Sequence, residues 1–134
     1  MKKIVILGGG ESGYGSAVLA KKMGFDTFLS DGGKLSDKYR ALLVEEGVEF
    51  EEGGHTMERV LEADLVVKSP GIPEKAPVVV TLREKGVKIV SEIEFARPFS
   101  KGKTLCKFFL FIRSSDFLEN GFEHFGIKVN NRTE

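Results

Sequence analysis

The chain has 134 residues, enough for one domain with its own core. Twenty Lys and Arg side chains balance twenty Asp and Glu, which argues against a general grip on nucleic acid, since that needs a basic excess. The single cysteine, Cys106, rules out an internal disulfide and fits a reducing cytoplasm, and no apolar run approaches the roughly 20 residues that span a bilayer.

Two lysines precede the first apolar run, as in a signal peptide. Glycines interrupt that run at once and no small-residue cleavage site follows, so residues 3–7 are expected to form a buried strand. Residues 12–23 then read as an amphipathic helix closed by Gly24. A second strand is expected over 25–30, ending at Asp31, with a turn at Gly32 and Gly33. Ser36 caps a helix running to Glu46. Residues 48–51 form a short third strand, polar enough to lie nearer an edge. After the Gly53-Gly54-His55 loop, Thr56 caps a short helix to Glu62. Residues 64–68 are a strongly apolar fourth strand, followed by the stiff loop Ser69-Pro70-Gly71-Ile72-Pro73. A helix over 77–85 closes at Gly86, a fifth strand spans 87–90, and another helix starts at Glu92.

Strands alternating with helical stretches predict βαβ units with right-handed crossovers. The expected fold is an α/β, Rossmann-like open parallel sheet of about five strands flanked by helices. The rhythm fails near Gly102. The last 28 residues hold six of the eleven phenylalanines: Phe108, Phe109, Phe111, Phe117, Phe122 and Phe125. Here 108–112 reads as a sixth strand and 117–125 as one short helix. The expected division is a binding domain over 1–104 and an irregular, Phe-rich tail over 105–134. Its apolar residues must dock on the body or on a partner, which makes self-association through the tail an expectation.

Gly8-x-Gly10-x-x-Gly13 follows a strand and opens a helix, the arrangement that brings backbone N–H groups and a helix N-terminus to a phosphate. Asp31 ends the second strand, where a ribose or base contact is expected. Glycine loops also make plain tight turns, and a strand-end carboxylate is also found simply solvated. Ser69, Pro70 and Gly71 sit at the end of the fourth strand, where ligands collect in open α/β sheets; a stiff turn is the plainer reading of that tripeptide. His55 reads as a surface loop histidine, without the convergent ligands of a metal site. Cys106 reads as an inert thiol. Glu49, Glu51 and Glu52 read as a solvated edge. Glu92 and Glu94 are expected to point in different directions, with Glu92 favouring a helix N-terminus.

Taken together, VILGGGESGYGSAVLAKKMGFDTFLSD, EADLVVKSPGIP and GVKIVSEIEFA resemble the N-terminal domain of the Mur ligases, in the branch that adds D-glutamate. The resemblance covers roughly residues 2–103. Ordinary NAD-binding domains do not carry SPGIP and SEIEFA in that order. The resemblance implies a domain that holds UDP-N-acetylmuramoyl-L-alanine for an ATP-dependent, D-glutamate-adding ligase of peptidoglycan synthesis in the cytoplasm. It implies that Gly10, Glu11, Ser12 and Gly13 form the pyrophosphate loop, with the Glu11 and Ser12 N–H groups and the Ser12 hydroxyl as donors. Asp31, with the backbone of Gly32 and Gly33, meets the uracil or its ribose. Ser69, Pro70 and Gly71 wall the nucleotide on the other side. Many relatives have a basic or hydroxyl residue just after the acidic strand end, where this chain offers only glycine.

ATP and magnesium belong to the full-length family enzyme. No P-loop glycine–lysine pattern occurs after Gly102, so no cofactor and no catalytic residue is expected in this chain, which alone is expected to be inactive. The competing reading is an NAD(P)-binding module of a regulatory protein or oxidoreductase, which Gly8, Gly10, Gly13 and Asp31 would serve equally well.

Overall fold

The structure, a computed structural model of the chain, describes residues 2–97. The expected tail elements, the boundary at 104 and Cys106 lie outside them.

Five strands, β1 (Lys3–Leu7), β2 (Asp26–Asp31), β3 (Glu49–Glu52), β4 (Leu65–Lys68) and β5 (Ile89–Ser91), make one sheet in the order β3-β2-β1-β4-β5. Every pairing is parallel. Between them run α1 (Glu11–Lys22), α2 (Asp37–Glu45), α3 (Met57–Leu61) and α4 (Pro77–Glu84), and α5 (Glu92–Ala96) follows β5. The expected α/β open sheet of five strands is therefore present, with β3 at an edge as its polarity suggested.

Side chains alternate across a strand, so the continuous apolar run of β1 serves both faces of the sheet. Ile4 and Ile6 enter one core with Ala17, Val18 and Leu43 from α1 and α2 and with Phe95 from α5. Val5 and Leu7 enter a second core with Val60 of α3 and Val78, Val79 and Leu82 of α4. All four β1 residues are at most 2 % exposed. Burial of this order contributes about 1.5–3 kcal/mol per large apolar side chain. At the edge of the second core the Arg59 guanidinium lies 3.8 Å above the Phe28 ring.

Several helix boundaries follow local chemistry. Ser36 Oγ accepts from the Tyr39 N–H at 3.3 Å, as a capping residue should. Ser91 and Glu94 form a reciprocal capping box at α5. Thr56 departs from expectation. It occupies the capping position of α3, but its hydroxyl donates to Glu51 instead of accepting from the helix. Glu92 and Glu94 do point differently: Glu92 is buried and Glu94 exposed.

Candidate functional site

The register aligns three strand ends. Leu7 pairs with Ser30 on one side and with Lys68 on the other. The residues that follow are Gly8, Asp31 and Ser69, and all three line one cleft of about 490 Å³. The cleft lies outside the carboxyl ends of β1, β2 and β4, where the chain crosses from one half of the sheet to the other, the position favoured for ligands in open α/β sheets. Gly9, Gly10, Gly32, Gly33, His55, Gly71 and Ile72 complete most of its wall, with the start of α4 beyond.

The glycine loop is shaped by close contacts. Gly8 adopts a φ of +96°, and a Cβ there would stand 2.9 Å from the Ser69 Cβ. A Cβ at Gly13 would stand 1.8 Å from the Gly8 carbonyl oxygen, so helix and strand end meet only because residue 13 has no side chain. Gly10 is different. Nothing lies within 4 Å of its Cβ position. It is the N-cap of α1 and provides no side-chain cap. The first N–H groups of a helix have no partner inside it and carry the positive end of its dipole. Here they follow a loop that opens on the cleft.

Asp31 braces this loop. Its Oδ2 accepts from the Gly9 N–H and its Oδ1 from the Gly33 N–H, each at 2.8 Å. One carboxylate thus holds the turn after β1 and the turn after β2. Arg40 fastens the second turn from below. It donates to both oxygens of Glu52 at 2.7 and 2.8 Å and to the Leu35 carbonyl at 2.9 Å. The hydrogen-bonded guanidinium of Arg40 holds the Glu52 carboxyl below the usual carboxylate range. Leu35 is buried beneath Gly9, where a Cβ would approach its Cδ2 to 2.0 Å.

On the far side, the Ile72 N–H donates to the Ser69 carbonyl at 3.1 Å, closing a turn with Pro70 and Gly71 at its centre. Lys68 locks it: its Nζ donates to the Ile72 carbonyl at 2.7 Å and lies 3.6 Å from Glu74.

Of the sequence-derived site residues, Gly10, Asp31, Gly32, Gly33, Ser69 and Gly71 are brought together on the cleft wall. Glu11, Ser12, Gly13 and Pro70 do not line it. Glu11 and Ser12 form the first turn of α1, Gly13 is buried against Gly8, and Pro70 is exposed at the turn.

Sequence reasoning missed His55. It stands in the loop between β3 and α3, half-buried, and its imidazole lines the cleft. Its Nδ1 is 2.6 Å from the Ser30 hydroxyl, which donates to Glu51 at 2.8 Å. Glu51 also accepts from the Thr56 N–H and hydroxyl, both at 2.6 Å. Burial pushes the Glu51 carboxyl up, but the Thr56 and Ser30 hydrogen bonds and the nearby His55 outweigh it and hold it below its ordinary value. The acidic run is therefore not a merely solvated edge: Glu49 pairs with Arg59, Glu51 with Thr56 and Ser30, and Glu52 with Arg40. Among the described residues no cluster of three or more His, Cys, Asp or Glu could hold a metal ion, and no helix is long and apolar enough to cross a membrane.

An open parallel sheet with an uncapped glycine-loop helix at its switch point is the Rossmann-like class of α/β domain, an arrangement that suits a phosphate-bearing ligand. Within that class the chain matches the MurD N-terminal domain family over residues 3–78, and it belongs to that family. It is 60 % identical over 100 residues to the UDP-N-acetylmuramoylalanine--D-glutamate ligase of Christiangramia forsetii, covering 75 % of this chain and 22 % of the relative. Identity to the ligase of the same name from Bacteroides fragilis is 58 % over 106 residues, covering 79 % and 24 % of the two chains. Among solved structures, the UDP-N-acetylmuramate:L-alanyl-gamma-D-glutamyl-meso-diaminopimelate ligase from Neisseria meningitides superposes with a TM-score of 0.64 at 27 % identity, over 73 % of this chain and 31 % of that one. The chain spans less than a quarter of the length of these curated relatives. The family match does not favour the NAD(P) reading.

Proposed function

We propose that this domain holds a UDP-linked muramoyl-alanine substrate, as the N-terminal part of an ATP-dependent, D-glutamate-adding ligase of peptidoglycan synthesis. The observation that carries the reading is the convergence of the uncapped α1 N-terminus, the Asp31-braced glycine turns and the Ser69–Ile72 turn on one cleft. The activity for which these relatives are named supports the choice of ligand.

In this reading the diphosphate meets the Glu11 and Ser12 N–H groups and the Ser12 hydroxyl. The Asp31 carboxylate has spent one lone pair of each oxygen on backbone N–H groups. Each oxygen keeps a second, which accepts from the uracil or its ribose beside the Gly32 and Gly33 backbone. Ser69, Pro70 and Gly71 close the other side. Phosphate–helix contacts and base recognition of this kind give roughly −4 to −8 kcal/mol, millimolar to micromolar affinity. The reaction of such a ligase uses ATP and magnesium, and no step of phosphoryl transfer is assigned to the described residues.

Titrating UDP-N-acetylmuramoyl-L-alanine into ¹⁵N-labelled chain tests the assignment. Amide shifts concentrated at Gly10–Gly13, Asp31–Gly33 and Ser69–Gly71 are the expected result. Shifts confined elsewhere, or none at saturating ligand, would overturn it.

A further inference from the structure

The Ser30–His55 pair determines which ring nitrogen faces the cleft. Ser30 is fully buried and has a single hydroxyl proton. Glu51, held in its acceptor-only form by Thr56, takes that proton at 2.8 Å. The 2.6 Å contact between Ser30 Oγ and His55 Nδ1 is then a hydrogen bond only if Nδ1 carries a proton and donates. In the neutral ring this leaves Nε2 with an available lone pair. Among the described residues no hydrogen bond engages Nε2. A Cβ at Gly32 would come within 3.1 Å of it, so the imidazole edge and a side chain at position 32 compete for the same space beside the cleft.

We propose that His55 is a recognition residue of this cleft, its Nε2 accepting a hydrogen bond from an N–H or O–H of the nucleoside part of the ligand. The inference rests on the nucleotide reading above and goes beyond it. A lone pair repels phosphate oxygens, which the α1 N-terminus serves better. His55 lies instead on the β2–β3 side, past Asp31, the side to which the proposed reading assigns the nucleoside. Two donors have the required chemistry: the imide N–H of uracil and a ribose hydroxyl. Ser30 and Glu51 are positioning residues, which fix the tautomer without touching the ligand.

The test uses the full chain. Long-range ¹⁵N–¹H spectra of the imidazoles, assigned by loss of signal in His55→Phe, read the tautomer directly. Calorimetry then compares UDP, 2′-deoxy-UDP and N3-methyl-UDP on wild type and His55→Phe. The expected result is an Nδ1–H tautomer and about tenfold weaker UDP binding by His55→Phe, the worth of one buried hydrogen bond. The analogue lacking the relevant donor binds wild type weakly and loses nothing further in the variant, which tells imide from hydroxyl. Ser30→Ala, which keeps the imidazole, is expected to abolish the Nδ1–H signature and weaken UDP binding. This second variant serves if His55→Phe does not fold. An Nε2–H tautomer, equal UDP binding by wild type and His55→Phe, or an equal loss for all three ligands overturns the role of His55 while leaving the nucleotide site standing. Wild type that binds no UDP overturns the nucleotide reading, and this inference with it.

Discussion

Asp31 and Gly9 are 22 residues apart, yet the Asp31 Oδ2 accepts the Gly9 N–H at 2.8 Å. This bond ties the end of β2 to the loop after β1. It turns two glycine-rich segments, each flexible by composition, into one wall, since the other carboxylate oxygen holds the Gly33 N–H.

Asp31→Ala therefore acts twice. It leaves the two backbone donors without their acceptor, and it removes the carboxylate proposed to meet the nucleoside. Stability is expected to fall by about 1–3 kcal/mol and UDP affinity by a similar amount. Chemical denaturation and calorimetry on the same sample check both. A variant with unchanged stability and affinity would leave Asp31 a solvated strand-end carboxylate.

Two glycines at the start of α1 should respond in opposite ways. Nothing lies within 4 Å of a Cβ at Gly10, so Gly10→Val is expected to keep the thermal midpoint and abolish UDP binding, because the side chain fills the phosphate's space. A Cβ at Gly13 stands 1.8 Å from the backbone oxygen of Gly8. Gly13→Ala is expected to destabilise the domain by about 1–3 kcal/mol or more, as overpacking does. Circular-dichroism melts separate the two.

Glu51 makes stability depend on pH. Its folded-state carboxyl lies below its ordinary value. The stabilisation is thus fully present above the ordinary carboxylate range and is lost as pH falls through the folded-state value. Glu51→Gln is expected to cost about 1–3 kcal/mol near neutrality. The gap between wild type and variant should narrow on acidification. Urea midpoints across that range measure it, and a constant gap would contradict the assignment.

Lys68→Met removes the donor to the Ile72 carbonyl and one of two cations beside Glu74, the other being Arg83, while keeping most of the buried stem. A loss of about 1 kcal/mol in stability and weaker UDP binding through a loosened Ser69–Ile72 turn are expected. Binding unchanged in a folded variant would separate that turn from the ligand.

How much of this was legible beforehand follows the range of each interaction. β1 was plain because an unbroken apolar run bounded by glycines suits a strand buried on both faces, and Ile4, Val5, Ile6 and Leu7 are so buried. The glycine spacing located the α1 N-terminus, and SPGIP located the opposite wall. The surroundings of His55 were not legible because its contact with Ser30 depends on register. Ser30 and Glu51 are partners across β2 and β3, a pairing that periodicity in either strand does not specify. Glu51 also explains Thr56: its residue type promised a helix cap, but its hydroxyl donates to the carboxylate five residues earlier. The Ser91–Glu94 capping box was in plain sight as Ser-x-x-Glu and went unread.

The cleft is proposed to take a UDP-linked muramoyl compound. Calorimetric titration of the chain with UDP-N-acetylmuramoyl-L-alanine, with UDP and NADH as comparators, tests it most directly. Saturable binding of the muramoyl compound and of UDP, with NADH silent, is the expected result. Binding of NADH alone would contradict it and make the domain a dinucleotide site.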